Sequence, residues 1–414
     1  MRYLFSVLAS EGYVYPAMAV ASEIQSRGHE VAFATGPAFA ARLEQSGYSY
    51  IPTDEQDHIF SVPQWMNQQS IRRQANYVTT AVCAFEPDVI VASALAMGPL
   101  VIARKHHIPV AVLGLATYPW PTINGVAVSK SERWEAKRYD DFWKIYRLAH
   151  VYLTGKPPPL EQSTHSQSGL LGDLFLLRSV PELQQNIETL PEKVHLVGGC
   201  LWESPISPDK PLLDWINNVT TSQKPIIYVQ HNNRWSNPFS QNGVTMNGIP
   251  DFWPVFLEAL GQLPVAVAMS TNDLEIIQSN LPDNFFVGQH IPHQAILPYA
   301  DGVITNGTTS IMLNALSYGL PMVIIAAASE SYDVAKVCQQ AEIAHCIPAN
   351  EVTPANLKEG IRAMLYEGNL RQNAQCVQQA LARYKGAAQA ATLLETLAMK
   401  RSPVLRQMEP LLSP

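Results

Sequence analysis

Short apolar runs alternate with helical patterns along the first half of the chain. The first run, residues 3–9, precedes a helical pattern that ends near Gly28, and a second run, residues 30–33, follows at once. Further apolar runs begin at residues 87 and 108, each after a helical segment. Strands that alternate with helices predict an α/β domain, with a parallel sheet and helices on both of its faces.

The stretch from Glu11 to Pro16 breaks this rhythm directly after the first apolar run. We expect it to form a loop at the carboxyl end of the first strand, with Gly12 in the turn. Open parallel sheets bind their ligands at that edge. Glu11 and Tyr13 are therefore candidate functional residues.

The same alternation starts again in the second half, with apolar runs from residues 225–230 to residues 321–326. Two consecutive α/β domains fit a chain of 414 residues. We predict an N-terminal domain at 1–205, a linker rich in Pro, Ser and Asn at 206–224, a C-terminal domain at 225–385 and a helical tail at 386–414.

Residues 118–150 carry many aromatic side chains at roughly helical spacing, among them Trp120, Trp134 and Trp143. An amphipathic helix packed on the sheet accounts for this spacing. The alternative, which the spacing favours less, is that these aromatic side chains wall an apolar pocket.

Composition and charge narrow the class of protein. Hydrophobic residues make up 47% and charged residues 15% of the chain, as in globular enzymes. The net charge of −7 includes no basic tract, which argues against nucleic acid as a partner. No apolar stretch reaches the ~18 residues of a membrane span, so we expect no integral membrane segment.

The cysteines and histidines show no metal-binding pattern. The five cysteines are odd in number and form no CxxC pair, which predicts reduced thiols in a cytoplasmic protein. No His/Cys cluster has zinc-like spacing, and no Asp-x-Asp occurs to hold a metal on a diphosphate. We therefore expect neither a metal nor another cofactor.

The most informative segment runs from residue 290 to residue 337. An apolar strand, residues 300–305, leads through Asn306-Gly307 into a helix whose first turn is Thr308-Thr309-Ser310. A small, hydroxyl-rich helix N-terminus exposes backbone N–H groups and the positive end of the helix dipole, so it can bind phosphate without a metal. The alternative is that Asn306 only caps the helix.

This segment resembles the donor-nucleotide signature of GT-B glycosyltransferases of the UDP-glycosyltransferase type, especially the bacterial enzymes that decorate natural products. That signature has a Pro-Gln or Pro-His, a leucine pair, then His-Gly-Gly-x-(Gly/Ser)-Thr-x-x-Glu-Ala-Leu-x-x-Gly-x-Pro. The chain retains Pro292-His293, Leu297, Gly307, Ser310, Ala315-Leu316, Gly319 and Pro321, and in its first domain Gly12, Val14 and Pro16. The similarity follows the whole chain in the right order.

The resemblance implies two Rossmann-like, parallel-sheet domains that face a cleft. It implies an inverting, metal-independent glycosyltransferase that moves a sugar from a UDP- or dTDP-sugar to a small, partly apolar acceptor. The first domain would bind the acceptor and the second the donor, while the C-terminal helix would cross back to the first domain. A monomer or a homodimer is expected.

Several positions depart from the family pattern. Asn306 stands where the family has its phosphate-binding His, Thr308 replaces the second Gly, and Asn314 replaces the Glu that binds the ribose. Tyr13 stands where the family has its catalytic His, and the position of the acid that orients this His falls near Ser93. Three further substitutions concern the donor. Ile311 stands where the family has Thr, and Glu330-Ser331 stands where it has the acid–glutamine pair that contacts the sugar. Asn232-Asn233 stands where it has Gly-Ser/Thr.

The loss of both the His and its orienting acid leaves the catalytic step open. A phenol with a pKa of about 10 is a poor base at neutral pH, so we expect Tyr13 to orient the acceptor rather than to deprotonate it. Either the acceptor needs no strong base, or Glu11 or a residue of the Asp54–His58 loop supplies one. The alternative function is a GT-B scaffold that performs other chemistry or binds a ligand or partner without catalysis.

The candidate site residues follow from these positions. Tyr13 and Glu11 are the catalytic candidates. The expected substrate contacts are Gly12, Asn232, Asn233, Ile291, His293, Asn306, Gly307, Thr308, Thr309, Ser310, Asn314, Glu330 and Ser331, with Ile291 and His293 against the nucleobase.

Overall fold

The structure, a computed structural model, describes most of the chain. The described residues are 1–53, 59–118, 122–123, 126–127, 133–158, 169–184, 187–203, 208–230, 252–273, 276–277, 281–327 and 329–406. They divide into two compact units, one formed by Met1–Trp202 with Tyr384–Pro414 and the other by Glu203–Arg383.

The first unit contains a parallel sheet of seven of the described strands, in the order β3-β2-β1-β4-β5-β8-β9. These strands are β1 Arg2–Ser6, β2 Glu30–Phe33, β3 Ser49–Tyr50, β4 Val89–Ser93, β5 Val110–Leu113, β8 Leu174–Leu177 and β9 Val194–Leu196. The pair β6 Thr122–Ile123 and β7 Val126–Ala127 forms a separate antiparallel hairpin. The central strands are buried along their full length, as expected for a sheet covered on both faces.

The helices of this part of the chain are α1 Glu11–Ser26, α2 Ala40–Gln45, α3 Gln68–Phe85, α4 Met97–Lys105 and α5 Arg133–Thr154. Short 3₁₀ turns lie at Pro37–Phe39, Val62–Gln64, Gly169–Leu171, Pro181–Leu183 and Ile187–Thr189. The expected loop at Glu11 to Pro16 is wrong, because α1 already begins at Glu11 and contains Pro16. Gly12 is the second residue of that helix and does not have the positive φ that is typical of a turn glycine.

The aromatic helix α5 packs mainly against helices α3 and α4 of the first unit rather than directly on the sheet. Tyr139, Phe142 and Tyr146 belong to the buried core, and Tyr118 contacts Phe142 edge-on at 6.0 Å between ring centroids. These rings therefore serve the core, whereas Trp120 lies outside the described residues. Among the described helices, α5 included, none has both the length and the apolar character that a membrane span requires.

The second unit contains six of the described strands in one parallel sheet, in the order β12-β11-β10-β13-β14-β15. These strands are β10 Ile226–Gln230, β11 Ala266–Ser270, β12 Phe285–Gly288, β13 Gly302–Thr305, β14 Met322–Ala326 and β15 Ala344–Pro348. The helices are α6 Lys210–Thr221, α7 Phe252–Leu260, α8 His293–Ile296, α9 Thr309–Ser317, α10 Ser329–Gln340, α11 Pro354–Tyr366 and α12 Gly368–Tyr384. Further 3₁₀ turns lie at Leu297–Tyr299 and Ala349–Glu351.

The segment 206–224, expected to be a linker, is mostly helix α6 and lies within the second unit. Asp209 caps this helix by accepting a hydrogen bond from the Leu212 amide at 3.1 Å. Leu212 and Ile216 are buried, and Trp215 contacts Phe286 of β12 at 5.6 Å between ring centroids. The buried i, i+4 pair and the cap explain why this polar stretch is ordered.

The last helix, α13 Gly386–Lys400, belongs to the first unit. Its alanine and leucine face lies in the core of that unit. Arg27, which follows α1, donates to the Glu395 carboxylate at 2.8 Å, and His29 Nε2 lies 3.0 Å from the same carboxylate. The contacts with His29 and Arg27 hold the pKa of Glu395 below its usual value even though partial burial acts to raise it.

Candidate functional site

Both sheets have a switch point, where two neighbouring strands connect onward in opposite directions. It lies between β1 and β4 in the first sheet and between β10 and β13 in the second. Open α/β sheets bind ligands beside the carboxyl ends of such strands. Tyr13 and its neighbours follow β1, whereas Asn306 to Ser310 follow β13. These two groups of candidates therefore lie at the switch points of their own sheets.

The turn after β13 is built around Gly307. Its φ is +73°, and a Cβ added there would lie 2.7 Å from Cγ2 of Ile324 and 3.4 Å from Cβ of Ser331. The Gly307 amide donates to the Thr305 hydroxyl at 3.2 Å. Both the left-handed conformation and the close packing require a residue without a side chain.

The N-terminus of α9 is capped by another element. Its N-cap residue is Thr308 rather than Asn306, and Thr308 makes no side-chain cap. Instead, the Thr309 amide donates to the Glu330 carboxylate at 3.1 Å. Within the described residues, the amides of Thr308 and Ser310 have no hydrogen-bond partner. An anion could reach these two amides directly.

Glu330 and Ser331 lie in the first turn of α10, and both bond backbone amides of the second unit. Glu330 holds the Thr309 amide, as described above. Ser331 is buried, and its hydroxyl accepts a hydrogen bond from the Ala327 amide at 3.2 Å. The first residue faces the candidate anion site, and the second fixes the end of β14.

Asn314, which stands where the family has its ribose-binding Glu, turns back onto its own helix. Its Nδ2 donates to the carbonyl of Ser310 at 2.8 Å. This bond removes one of its two N–H donors from any ligand.

His293 opens α8 and packs edge-on against Tyr228 of β10, with 5.7 Å between ring centroids. Burial, with a smaller contribution from the nearby His290, lowers the pKa of His293 to about 4. The ring is therefore neutral at pH 7 and offers an aromatic surface. Ile291 beside it is buried, whereas Asn232 and Asn233 lie outside the described residues.

In the first unit, the carboxylate of Glu11 is exposed on the first turn of α1. The Tyr15 hydroxyl donates to it at 3.0 Å, and Arg42 Nη1 donates to the Tyr15 oxygen at 2.7 Å. Burial raises the pKa of Tyr15, and the charge of Glu11 raises it further. Tyr15 therefore stays protonated and points its only proton at Glu11. Neither Tyr15 nor Arg42 was a sequence candidate.

Tyr13, by contrast, is only 7% exposed and belongs to the hydrophobic core of the first unit. Next to it, the carbonyl of Gly12 accepts a hydrogen bond from Arg178 Nη2 at 3.2 Å. Arg178 is 1% exposed and also donates through Nε to the Gly114 carbonyl at 2.8 Å. Sequence reasoning missed Arg178, whose one signal is a charge directly after the apolar strand β8.

Ser93, at the position of the family's orienting acid, is fully buried at the end of β4. Its hydroxyl accepts a hydrogen bond from the Leu8 amide at 2.9 Å. The residue thus holds the segment after β1 in place and carries no charge that could orient a base.

Substitution of Gly307 by alanine should weaken nucleotide binding at least tenfold and lower the melting temperature. The new Cβ would push Ile324 while the backbone stayed in an unfavourable conformation. Gly368→Ala is the matched control, because nothing lies within 4 Å of its added Cβ and its φ is ordinary. Calorimetric titration of both variants with nucleoside diphosphates measures the difference. Equal affinities would show that the turn does not touch the ligand.

Two family models match the chain, one in each half. The N-terminal domain of glycosyltransferase family 28 matches residues 3–115. The C-terminal domain of erythromycin biosynthesis protein CIII-like proteins matches residues 255–396, which include the turn at Gly307 and helix α9.

Similar proteins span nearly the whole chain. The 4'-demethylrebeccamycin synthase of Lentzea aerocolonigenes is 24% identical, over 96% of this chain and 99% of its own. The calicheamicin glycosyltransferase CalG4 has a similar structure, with a TM-score of 0.70, 21% identity and 97% and 98% of the two chains covered. Glycosyltransferase VinC, solved in complex with dTDP, gives 0.71 at 17% identity, with 97% and 100% covered. The chain is therefore a glycosyltransferase of the GT-B fold and of the natural-product type.

Proposed function

We propose that the protein transfers a sugar, with inversion and without a metal, from a nucleotide-sugar to a small, partly apolar acceptor. The observation that carries this proposal is the N-terminus of α9. The amides of Thr308 and Ser310, which have no hydrogen-bond partner among the described residues, follow the close-packed turn of Gly307 at the β10/β13 switch point. Backbone amides and a helix dipole can neutralise a leaving diphosphate without a cation.

The donor is a UDP- or dTDP-sugar in this proposal. The complex of VinC with dTDP supports a nucleoside diphosphate as the ligand of this fold. The neutral His293 ring and the buried Ile291 offer an apolar surface to a nucleobase. Because the Asn314 side chain is bonded to Ser310, ribose recognition is weaker than a carboxylate would give.

The acceptor's nucleophile attacks the anomeric carbon while the nucleoside diphosphate leaves from the opposite face. Glu11 takes the nucleophile's proton, since its carboxylate is exposed and is held in place by Tyr15. Tyr13 does not act as the base, because its phenol lies within the core. Relatives whose names include rebeccamycin and oleandomycin support a natural-product acceptor.

Calorimetric titration with UDP, dTDP, GDP and their sugars, each with and without EDTA, tests the donor. We expect micromolar to millimolar binding of one nucleotide series, unchanged by EDTA. The anomeric configuration of a product formed from that donor then tests the stereochemistry. Binding that EDTA abolishes, or a product with retained configuration, would contradict the proposal. Absence of nucleotide binding would favour the alternative of a repurposed scaffold.

A further inference from the structure

The helix that should receive the donor's diphosphate already holds an anion of the protein itself. Glu330 Oε1 lies 3.1 Å from the Thr309 nitrogen, and Thr309 is only 1% exposed. The carboxylate comes from α10, 21 positions along the chain, and the N-cap residue Thr308 makes no cap of its own. The Glu330 carboxylate therefore accepts the hydrogen bond that a bound phosphate oxygen would accept.

We propose that Glu330 is an internal competitor for the donor's diphosphate, so that this one residue sets the affinity of the site. The inference rests on the proposed function, because it takes α9 as the diphosphate site. A diphosphate displaces the carboxylate when it binds, and the carboxylate returns to the Thr309 amide when the nucleoside diphosphate leaves.

Competition follows from the number of donors. The Thr309 amide has one proton, which serves either the carboxylate or a phosphate oxygen. Two anions side by side at one helix end also repel each other, since both need the same positive dipole. A diphosphate can span the neighbouring amides of Thr308 and Ser310, which have no other partner in the part of the chain that the structure describes. These additional hydrogen bonds favour the diphosphate over the Glu330 carboxylate.

Removal of the charge should then have opposite effects on the free and bound protein. Without nucleotide, Glu330→Gln loses a charge-assisted cap and melts at a slightly lower temperature. With nucleotide, the same variant gains affinity and shows a larger rise in melting temperature on binding. A carboxylate that only stabilised the fold would lower the first melting temperature and leave the affinity unchanged.

Titration of UDP and dTDP into wild type, Glu330→Gln and Glu330→Ala tests the competition. We expect both variants to bind the preferred nucleoside diphosphate on the order of tenfold more tightly, as for the loss of one charged hydrogen bond. Glu359→Gln is the control, because it removes the same charge from an exposed position on α11 and should leave affinity unchanged.

The other outcomes separate the two hypotheses. Equal or weaker binding of the nucleoside diphosphate by both Glu330 variants would overturn the competition and leave the proposed donor site standing. A loss limited to the nucleotide-sugar would also overturn it and make Glu330 a sugar contact. If neither wild type nor any variant bound a nucleotide, the donor site itself would be wrong, and the competition with it.

Discussion

Replacement of Glu11 by glutamine is expected to lower kcat about a thousandfold while KM changes little. A general base contributes ~10²–10⁴ in rate, and the amide cannot take a proton. Glutamine keeps the shape of the side chain and can still accept the hydrogen bond that Tyr15 donates at 3.0 Å. The loss should therefore appear in the chemical step rather than in binding.

Two controls make this measurement specific. Glu23→Gln removes the same charge from the same helix, ~18 Å along its axis, and should leave kcat unchanged. Tyr13→Phe should change kcat by at most roughly tenfold, the equivalent of one hydrogen bond, because the phenol lies within the core. A Glu11→Gln loss below tenfold would show that the acceptor needs no protein base. A thousandfold loss in Tyr13→Phe, with an ionisation near neutral pH that disappears with the hydroxyl, would make Tyr13 the base.

The network behind Glu11 has a fixed direction. Arg42 can only donate, so the Tyr15 oxygen must accept from it and use its own proton for Glu11. Tyr15→Phe should accordingly reduce the rate less than Glu11→Gln does, because it frees the carboxylate to rotate without removing it.

Periodicity was enough to predict two consecutive α/β domains, each with a parallel sheet. It misplaced the start of α1, because Gly12 and Pro16 are helix breakers in isolation. Proline has no amide to donate to the carbonyl four residues earlier, which here is that of Gly12. Arg178, 166 positions away, donates to this carbonyl instead. No local pattern contains that contact.

The prediction of a linker at 206–224 was wrong for a different reason. Its Pro, Ser and Asn content suggested a connection, yet Asp209 at the N-cap and the Leu212/Ile216 pair were local helix signals. In the candidate site, the residue types alone were enough to predict the turn at Gly307. The hydrogen bond from the Thr309 amide to the Glu330 carboxylate could not be predicted from them, because two helices must be packed before the two groups meet.

Replacement of Arg178 by methionine is expected to lower the melting temperature of the first unit by roughly 6–12 °C. Two hydrogen bonds from a buried guanidinium, to Gly12 and Gly114, would be lost. Carbonyls left without donors in a buried environment cost about 1–3 kcal/mol each. The desolvation penalty of the buried cation is removed at the same time, which limits the net loss to about 3 kcal/mol.

A second substitution tests the physical reason. Pro16→Ala restores the helix amide that can donate to Gly12, so it should recover part of the lost stability in the Arg178→Met background and raise it less in the wild type. Arg72→Met, which removes an exposed arginine that donates to Tyr152, should shift the melting temperature by at most about 2 °C. Scanning calorimetry of the four variants gives these differences. An equal gain from Pro16→Ala in both backgrounds would show that Arg178 does not replace the missing helix bond.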